Sequence, residues 1–266
     1  MKLKLSIILI LTFFAFDQLF AQLIEAQNYG GKTELKRIIE QEMVYPAEAL
    51  KQGIEGTVGL TFEVSELGEV EKIRITRSVN PAIDNEAIRL LKLLLWDAAR
   101  LNGTATRTEN AIPFTFSIKK YQKAVKERGY EVPENFIAGD NLENFKVYDY
   151  DNIQKQPLPD LDNNYDNLTD YISRNINYPS EALKNDISGY VKLKFVVEPS
   201  GKITNIKEVK PLGSGCSGES IRLLKTIKWK AGLMNEKPAR TVMQMNFNFN
   251  LLGGVNGNPS GANGAQ

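Results

Sequence analysis

The chain has 266 residues and a formal net charge of +1, from 33 Lys and Arg against 32 Asp and Glu. That balance leaves no electrostatic footprint for nucleic acid, and the composition is ordinary globular. With no histidine and a single cysteine, Cys216, the sequence excludes His-ligated zinc, histidine general bases, Ser-His-Asp triads, intrachain disulfides and thiolate clusters.

The amino terminus reads as an export signal. Lys2 and Lys4 precede an apolar run, Leu5 to Phe16, interrupted only by Ser6 and Thr12 and ended by Asp17. The run is shorter than the about 20 apolar residues of a good membrane span, and Ala21 offers a small residue for cleavage. Residues 1–21 are therefore expected to be a cleaved signal peptide, with a retained inner-membrane anchor as the alternative. No cysteine follows the run, so lipoprotein processing is excluded.

Gln22 to Gly31 reads as a short lead. Leu35, Ile38, Ile39 and Met43 lie at helical spacing and predict a helix from about Thr33 to Glu42. Pro46 suits the first position of a second, short helix, and Gly53 its left-handed end. Val58, Leu60, Phe62 and Val64 alternate with Thr57, Gly59, Thr61 and Glu63, which predicts a strand with one buried face. Ser65 to Gly68 is a hairpin connection. The second strand, from about Glu69 to Ser78, breaks its alternation between Val70 and Ile73, where a bulge fits. A helix starting at Pro81 to Asp84 carries the stripe Ile83, Ala87, Leu90, Leu91 and Leu94, closed by Trp96. The third strand runs from about Thr106 to Ile118. Pro113 inside it belongs on an edge, because proline cannot donate to a neighbouring ladder. Lys119 to Arg128 reads as a charged, solvated helix. The composition then turns to Asn, Asp, Pro and Tyr, which makes 119–170 a polar connector. Phe136, Phe145 and the tyrosines are its candidates to pack on a neighbour.

After the connector the pattern returns. Tyr45-Pro46-Ala47-Glu48-Ala49-Leu50-Lys51 recurs as Tyr178-Pro179-Ser180-Glu181-Ala182-Leu183-Lys184, an offset of 178 − 45 = 133. The offset holds without a gap: Gly56 meets Gly189, Phe62 meets Phe195, Gly68 meets Gly201, Trp96 meets Trp229, and Phe114 and Phe116 meet Phe247 and Phe249. Pairing 45–116 with 178–249 gives 27 identities over 72 positions, so the chain is a duplication. It divides into one domain at 33–118 and another at 171–252, each large enough for a modest core. Residues 253–266, rich in Gly and Asn, read as a disordered tail.

Most of the conspicuous residues have structural explanations. Trp96 and Trp229 close apolar helical stripes and read as core anchors. Gly68 and Gly201 are turn residues. Arg89, Lys92, Arg222 and Lys225 read as solvated helix faces, and Cys216 as a small packing residue. The matched carboxylates, Glu48 with Glu181 and Glu86 with Glu219, lie on helices among polar neighbours. No catalytic constellation emerges, so the chain is not read as an enzyme and no cofactor is expected.

Each copy reads helix, strand, strand, helix, strand. The series Tyr-Pro-x-x-Ala-Leu, Gly-x-Val-x-Leu-x-Phe-x-Val, glycine turn, Ile-rich strand, helix and Trp resembles the carboxy-terminal domain of the TonB family, over about 38–118 and 171–251. The resemblance implies an α+β fold: two copies of a small three-stranded antiparallel sheet packed on two helices. It implies a periplasmic protein whose partner is a short extended peptide of an outer-membrane TonB-dependent transporter, or a related envelope protein. That peptide adds a strand alongside strand three of the sheet, a mode in which unpaired backbone groups supply most of the affinity. The implied partner-binding residues are Val44, Tyr45 and Pro46 in the first copy and Asn177, Tyr178 and Pro179 in the second. Asn246 and Asn248, on strand three of the second copy, join them.

Three departures separate the chain from a full energy transducer. It has no histidine to face a motor partner, no long Pro-rich spacer, and two copies where one is usual. The peptide-binding half of the activity is therefore the expectation, and an anchored energy transducer coupled to an inner-membrane motor is the alternative. The copies are expected to be separable domains on a mobile connector. The second is expected to accept a strand better, because Asn246 has the N–H that Pro113 lacks.

Overall fold

The computed structural model describes residues 22–133, 145–251 and 257–259. The expected signal peptide at 1–21 and Phe136 lie outside the described residues. The first copy opens with two short strands, β1 (Leu23–Ile24) and β2 (Gln27–Asn28), then helices α1 (Gly31–Glu42) and α2 (Ala47–Lys51). β3 (Gly56–Val64) and β4 (Val70–Arg77) form a hairpin, and α3 (Pro81–Leu93) packs on it. Three short strands follow, β5 (Trp96–Asp97), β6 (Ala99–Leu101) and β7 (Thr104–Thr106), before β8 (Thr108–Phe116) completes an antiparallel sheet in the order β4-β3-β8.

The connection holds α4 (Ile118–Arg128), β9 (Val147–Asp149) and β10 (Leu158–Pro159). The second copy repeats the first as α5 (Leu168–Asn175), α6 (Ser180–Lys184), β11 (Gly189–Val197), β12 (Ile203–Lys210) and α7 (Cys216–Thr226). It ends with β13 (Trp229–Lys230), β14 (Gly232–Met234), β15 (Lys237–Phe249) and β16 (Gly257–Pro259). Its sheet keeps the order β12-β11-β15, and β14, β9 and β16 all add to β15. The fold is α+β, built twice, as the resemblance implies.

Local chemistry accounts for these elements. Val58, Leu60, Phe62 and Val64 on β3 are all buried, and the residues between them are not. Asn80 starts α3 by accepting the Ile83 N–H at 2.8 Å through Oδ1, with Pro81 in the first turn where a missing N–H costs nothing. Trp96 stands edge-on to Phe62 with centroids 4.9 Å apart, and Trp229 packs on Phe195 at 5.7 Å. The two turn glycines are forced by the same approach. Gly68 and Gly201 have φ of 83° and 79°, and a Cβ would stand 2.3 Å from the Trp96 carbonyl oxygen and 2.1 Å from that of Trp229.

The bulge lies where the alternation breaks. Thr61 pairs with Arg74 and Glu63 with Glu71, so Phe62 faces both Lys72 and Ile73, and Lys72 takes a φ of 50°. Asn205 holds the matching position in β12 with a φ of 54°. Asparagine tolerates that conformation better than lysine, and here its side chain acquires a second use.

That use is the interface between the copies. Buried Asn205 donates through Nδ2 to the Leu93 carbonyl at 3.0 Å and accepts the Leu95 N–H at 2.7 Å. Glu34 of α1 accepts the Ile206 N–H at 3.1 Å, and Arg37 donates to the Ile203 carbonyl at 2.9 Å. Lys207 meets Asp97 at 2.6 Å. Arg240 of β15 is 1% exposed and donates to the carbonyls of Leu93 and Phe145 as well as to Glu198. Where the sequence predicts two domains with only a mobile connector between them, the structure also joins them through a polar interface.

The connection is less bare than its composition suggests. α4 buries Tyr121 and Ala124, and Arg128 at its end donates to the carbonyls of Glu40, Gln41 and Met43 at the end of α1. This caps α1 with a cation, the sign its carbonyl end favours. Charge count alone hides such a face, because only Tyr121 and Ala124 are fully committed to it. Phe145 is buried in the first copy's core.

Candidate functional site

The geometry that matters is the outer edge of strand three in each copy. In the first copy β8 pairs with β3 on one side, and no other described strand pairs with it. Pro113 sits opposite Gly59. A proline fits inside an antiparallel ladder only at a position whose N–H would point away from the partner strand. The Thr57 and Thr115 hydroxyls, two pairs along and so in the same phase, touch across the strands at 3.0 Å, as side chains of non-hydrogen-bonded pairs do. Both observations give one phase. Glu109, Ala111, Pro113 and Thr115 turn their backbone groups outward, and Asn110, Ile112, Phe114 and Phe116 bond to β3. The open edge therefore offers N–H donors at 109, 111 and 115, with a gap at Pro113.

The matching edge of the second copy is covered. β9 pairs in parallel with Arg240–Val242, and β16 pairs antiparallel with Met245–Phe247. β11 occupies the other side of β15 across both stretches, so β9 and β16 lie on the outer edge. Asn246 is opposite Asn258, and Asn248 is opposite Tyr190 of β11 on the inner side. Three residues of the segment 253–266, Gly257–Pro259, thus pair as a short strand.

The Tyr-Pro turns sit at the ends of these strands. Tyr45 is buried, donates its hydroxyl to the Ile54 carbonyl at 2.5 Å, and stands edge-on to Phe116 at 5.8 Å. Tyr178 repeats this with the Ile187 carbonyl and Phe249, the latter at 5.5 Å. Pro46 and Pro179 are the cap residues of α2 and α6. The backbone N–H of Val44 is taken by Glu86 at 2.8 Å, and that of Asn177 by Glu219 at 2.6 Å. Of the implied residues, only the exposed side chain of Asn177 and the half-buried Val44, Pro46, Tyr178 and Pro179 keep surface near the strand ends.

A clasp behind these turns escapes the sequence reading. Arg89 donates to both oxygens of Glu86, at 2.7 and 2.8 Å, and also reaches the Glu42 carbonyl. Arg222 does the same with Glu219, at 2.7 and 2.7 Å, and with the Asn175 carbonyl at 2.8 Å. Arg89, read as solvated, is buried, whereas Arg222 makes the same bonds and keeps its side chain 45% exposed. The available signal was the repetition of the Glu-x-x-Arg spacing in both copies, which puts the pair on one helix face. The two clasps differ in electrostatics. Burial pushes the Glu86 carboxyl above the ordinary carboxylate range despite Arg89. Burial also raises Glu219, but the bonds from Arg222 and the Asn177 N–H outweigh it and hold that carboxyl low.

Among the described residues no three His, Cys, Asp or Glu side chains are grouped to hold a metal ion. Cys216 is buried and free, and burial pushes its thiol pKa up, away from reactivity. Among the described residues no helix is long and apolar enough to cross a membrane.

A sequence model of the family described as the Gram-negative bacterial TonB protein C-terminal matches residues 41–118 and 174–251. Among solved structures, the chain is similar to the NMR solution structure of the Helicobacter pylori TonB C-terminal domain. Identity is 19%, with a TM-score of 0.25, over 32% of this chain and 78% of that one. No curated protein matches the chain.

Proposed function

The chain belongs to the Gram-negative bacterial TonB protein C-terminal family, and matches it twice; from that premise we propose that it is a periplasmic module of TonB-dependent transport that binds extended peptide segments by strand addition. The peptide is one of an outer-membrane transporter or another envelope partner. The chain reaches the periplasm by cleavage of residues 1–21, and sequencing of the mature protein then starts at Gln22. A start at Met1 instead favours the anchored transducer.

One observation carries the reading: β8 is an edge strand with outward backbone groups and no described strand on its outer side. Such an edge is a template for an incoming chain. Comparing Pro113 with Asn246 alone ranks the second copy as the better acceptor. Occupation of that edge by β9 and β16 reverses the ranking, and the first copy takes the peptide first.

The test is NMR titration of the whole chain with a synthetic transporter-box peptide. Amide shifts are expected to cluster at 109–115. Ala111→Pro removes an outward donor and leaves the bonds to β3 alone, so it should weaken binding about two- to thirteen-fold, the equivalent of one net hydrogen bond of about 0.5–1.5 kcal/mol. Its melting temperature should stay close to that of wild type. Shifts confined to 243–249, or an Ala111→Pro variant with undiminished affinity, remove β8 as the site.

A further inference from the structure

Two segments of the chain itself lie on the outer edge of β15, and the way Gly257–Pro259 fits there is specific. β9 covers Arg240–Val242, and Gly257–Pro259 takes the stretch from Met245 to Phe247. The phase derived for β8 applies here at an offset of 133: Met245 and Phe247 match Ile112 and Phe114 and bond inward to β11, whereas Asn246 matches Pro113 and turns its N–H and carbonyl outward. Asn258 stands opposite Asn246, so these two are the residues that exchange both ladder bonds. Pro259 stands opposite Met245, where no outward group asks for an N–H. A shift by one residue would put the proline opposite Asn246 and remove the donor. The proline therefore fits this edge in the observed phase and rules out a register shifted by one residue, and the backbone of Gly257–Pro259 also lies beside α5.

We propose that Gly257–Pro259 is a resident strand that keeps the second copy's edge as a latent acceptor, and that a partner strand gains this edge by replacing it. The incoming strand is extended, runs antiparallel to β15, supplies a backbone N–H and carbonyl opposite Asn246, and tolerates proline opposite Met245. The proposal shares with the proposed function only the premise that these sheets accept strands. It makes the tandem a binder with one open site and one guarded site.

The experiment reads the Asn246 amide by hydrogen exchange in three proteins: the full chain, a chain ending at Gly253, and the full chain with Asn258→Pro. Loss of the tail should speed exchange at Asn246 by about tenfold or more, since its bond then opens to water. The Met245 and Phe247 amides, held by β11, should be unchanged. Asn258→Pro removes the return bond, from the Asn258 N–H to the Asn246 carbonyl, and by weakening the pair should also speed exchange at Asn246, to a lesser degree, without shortening the chain. A synthetic peptide of residues 253–266 should restore protection to the shortened chain at millimolar concentration, roughly the effective concentration that a short linker supplies. Equal exchange at Asn246 in all three proteins overturns the proposal. So does a loss that spreads to Met245 and Phe247, which would mean that the tail only stabilises the sheet, or a peptide that restores nothing. No transporter peptide and no residue of β8 enters this test, so its failure is distinguishable from failure at the first copy.

Discussion

Removing the guanidinium of Arg240 should separate the two copies. The side chain is 1% exposed. It donates to Glu198 at 2.8 and 3.0 Å, to the Phe145 carbonyl at 3.0 Å and to the Leu93 carbonyl at 2.9 Å. It thus ties the second copy to the end of α3 in the first and to the connection between them. Arg240→Met keeps most of the aliphatic volume and removes all four bonds. The Leu93 carbonyl still receives Asn205, but Glu198 is left as a buried carboxylate with the Thr204 hydroxyl and no cation. Breaking one side of a buried pair costs about 3–5 kcal/mol, most of it from the abandoned charge. Adding Glu198→Leu should therefore recover a large part, with a coupling of roughly 0.5–3 kcal/mol between the two changes.

Urea unfolding read by tryptophan fluorescence measures this, because each copy holds one tryptophan. Trp96→Phe leaves the reporter in the second copy and Trp229→Phe leaves it in the first. With Arg240 present the two reporters should give one shared midpoint, as a cooperative unit does. With Arg240→Met the midpoints should part. Reporters that already differ with Arg240 in place, together with a loss under about 1 kcal/mol on Arg240→Met, would show that the copies are independent domains, as their sequence alone suggests, and that the interface adds nothing.

The two clasps should respond to pH in opposite directions. The Glu219 carboxyl is held low in the fold, so its contribution is present above the ordinary carboxylate pKa and lost as pH falls through the folded value. The Glu86 carboxyl is raised, so the fold favours its protonated form and stability from it declines as pH rises through the folded value. Below about pH 5 the melting temperature of wild type relative to Glu219→Gln should rise with pH, and above about pH 4 that relative to Glu86→Gln should fall with pH until the folded carboxyl is fully ionised; curves that move the same way refute the assignment. Gly68→Ala and Gly201→Ala should each cost about 2 kcal/mol or more, from a positive φ and a Cβ forced against a tryptophan carbonyl. Tolerance of either change, seen in the same urea experiment, would mean that the turn can move off the tryptophan.

The strands, helices and turns were legible because each is a local pattern. Alternation on β3 and β11, the stripe on α3 and the 133-residue offset all survive without tertiary knowledge. What escaped depends on which neighbour arrives. Arg107 and Arg240 occupy matching positions, yet Arg107 stays exposed among Glu63, Glu66 and Glu71 while Arg240 is buried on Glu198. Glu198 itself replaces Ser65, and Asn205 replaces Lys72. Those substitutions are polar for polar and say nothing until the first copy is seen against β12. Gly257–Pro259 escaped for a similar reason: a Gly- and Asn-rich segment has little intrinsic strand preference, and its pairing shows only against β15.

The copies differ at strand three for a physical reason. An uncovered edge is a hazard, because it pairs with any exposed strand, and proteins blunt such edges with proline, charge or a covering segment. Among the described residues no strand covers the first copy's edge, and it carries both blunting features, Pro113 and Glu109, each in an exposed outward position. A strand pairing along the whole of β8 meets the missing donor at Pro113, whereas the donors at 109 and 111 lie on one side of it. The second copy has Asn246 in place of the proline, so its donor row continues through that position. It is also the copy whose edge is covered by β9 and β16. Proline in one copy and self-pairing in the other answer the same physical problem. Only the first answer leaves the edge free for a partner.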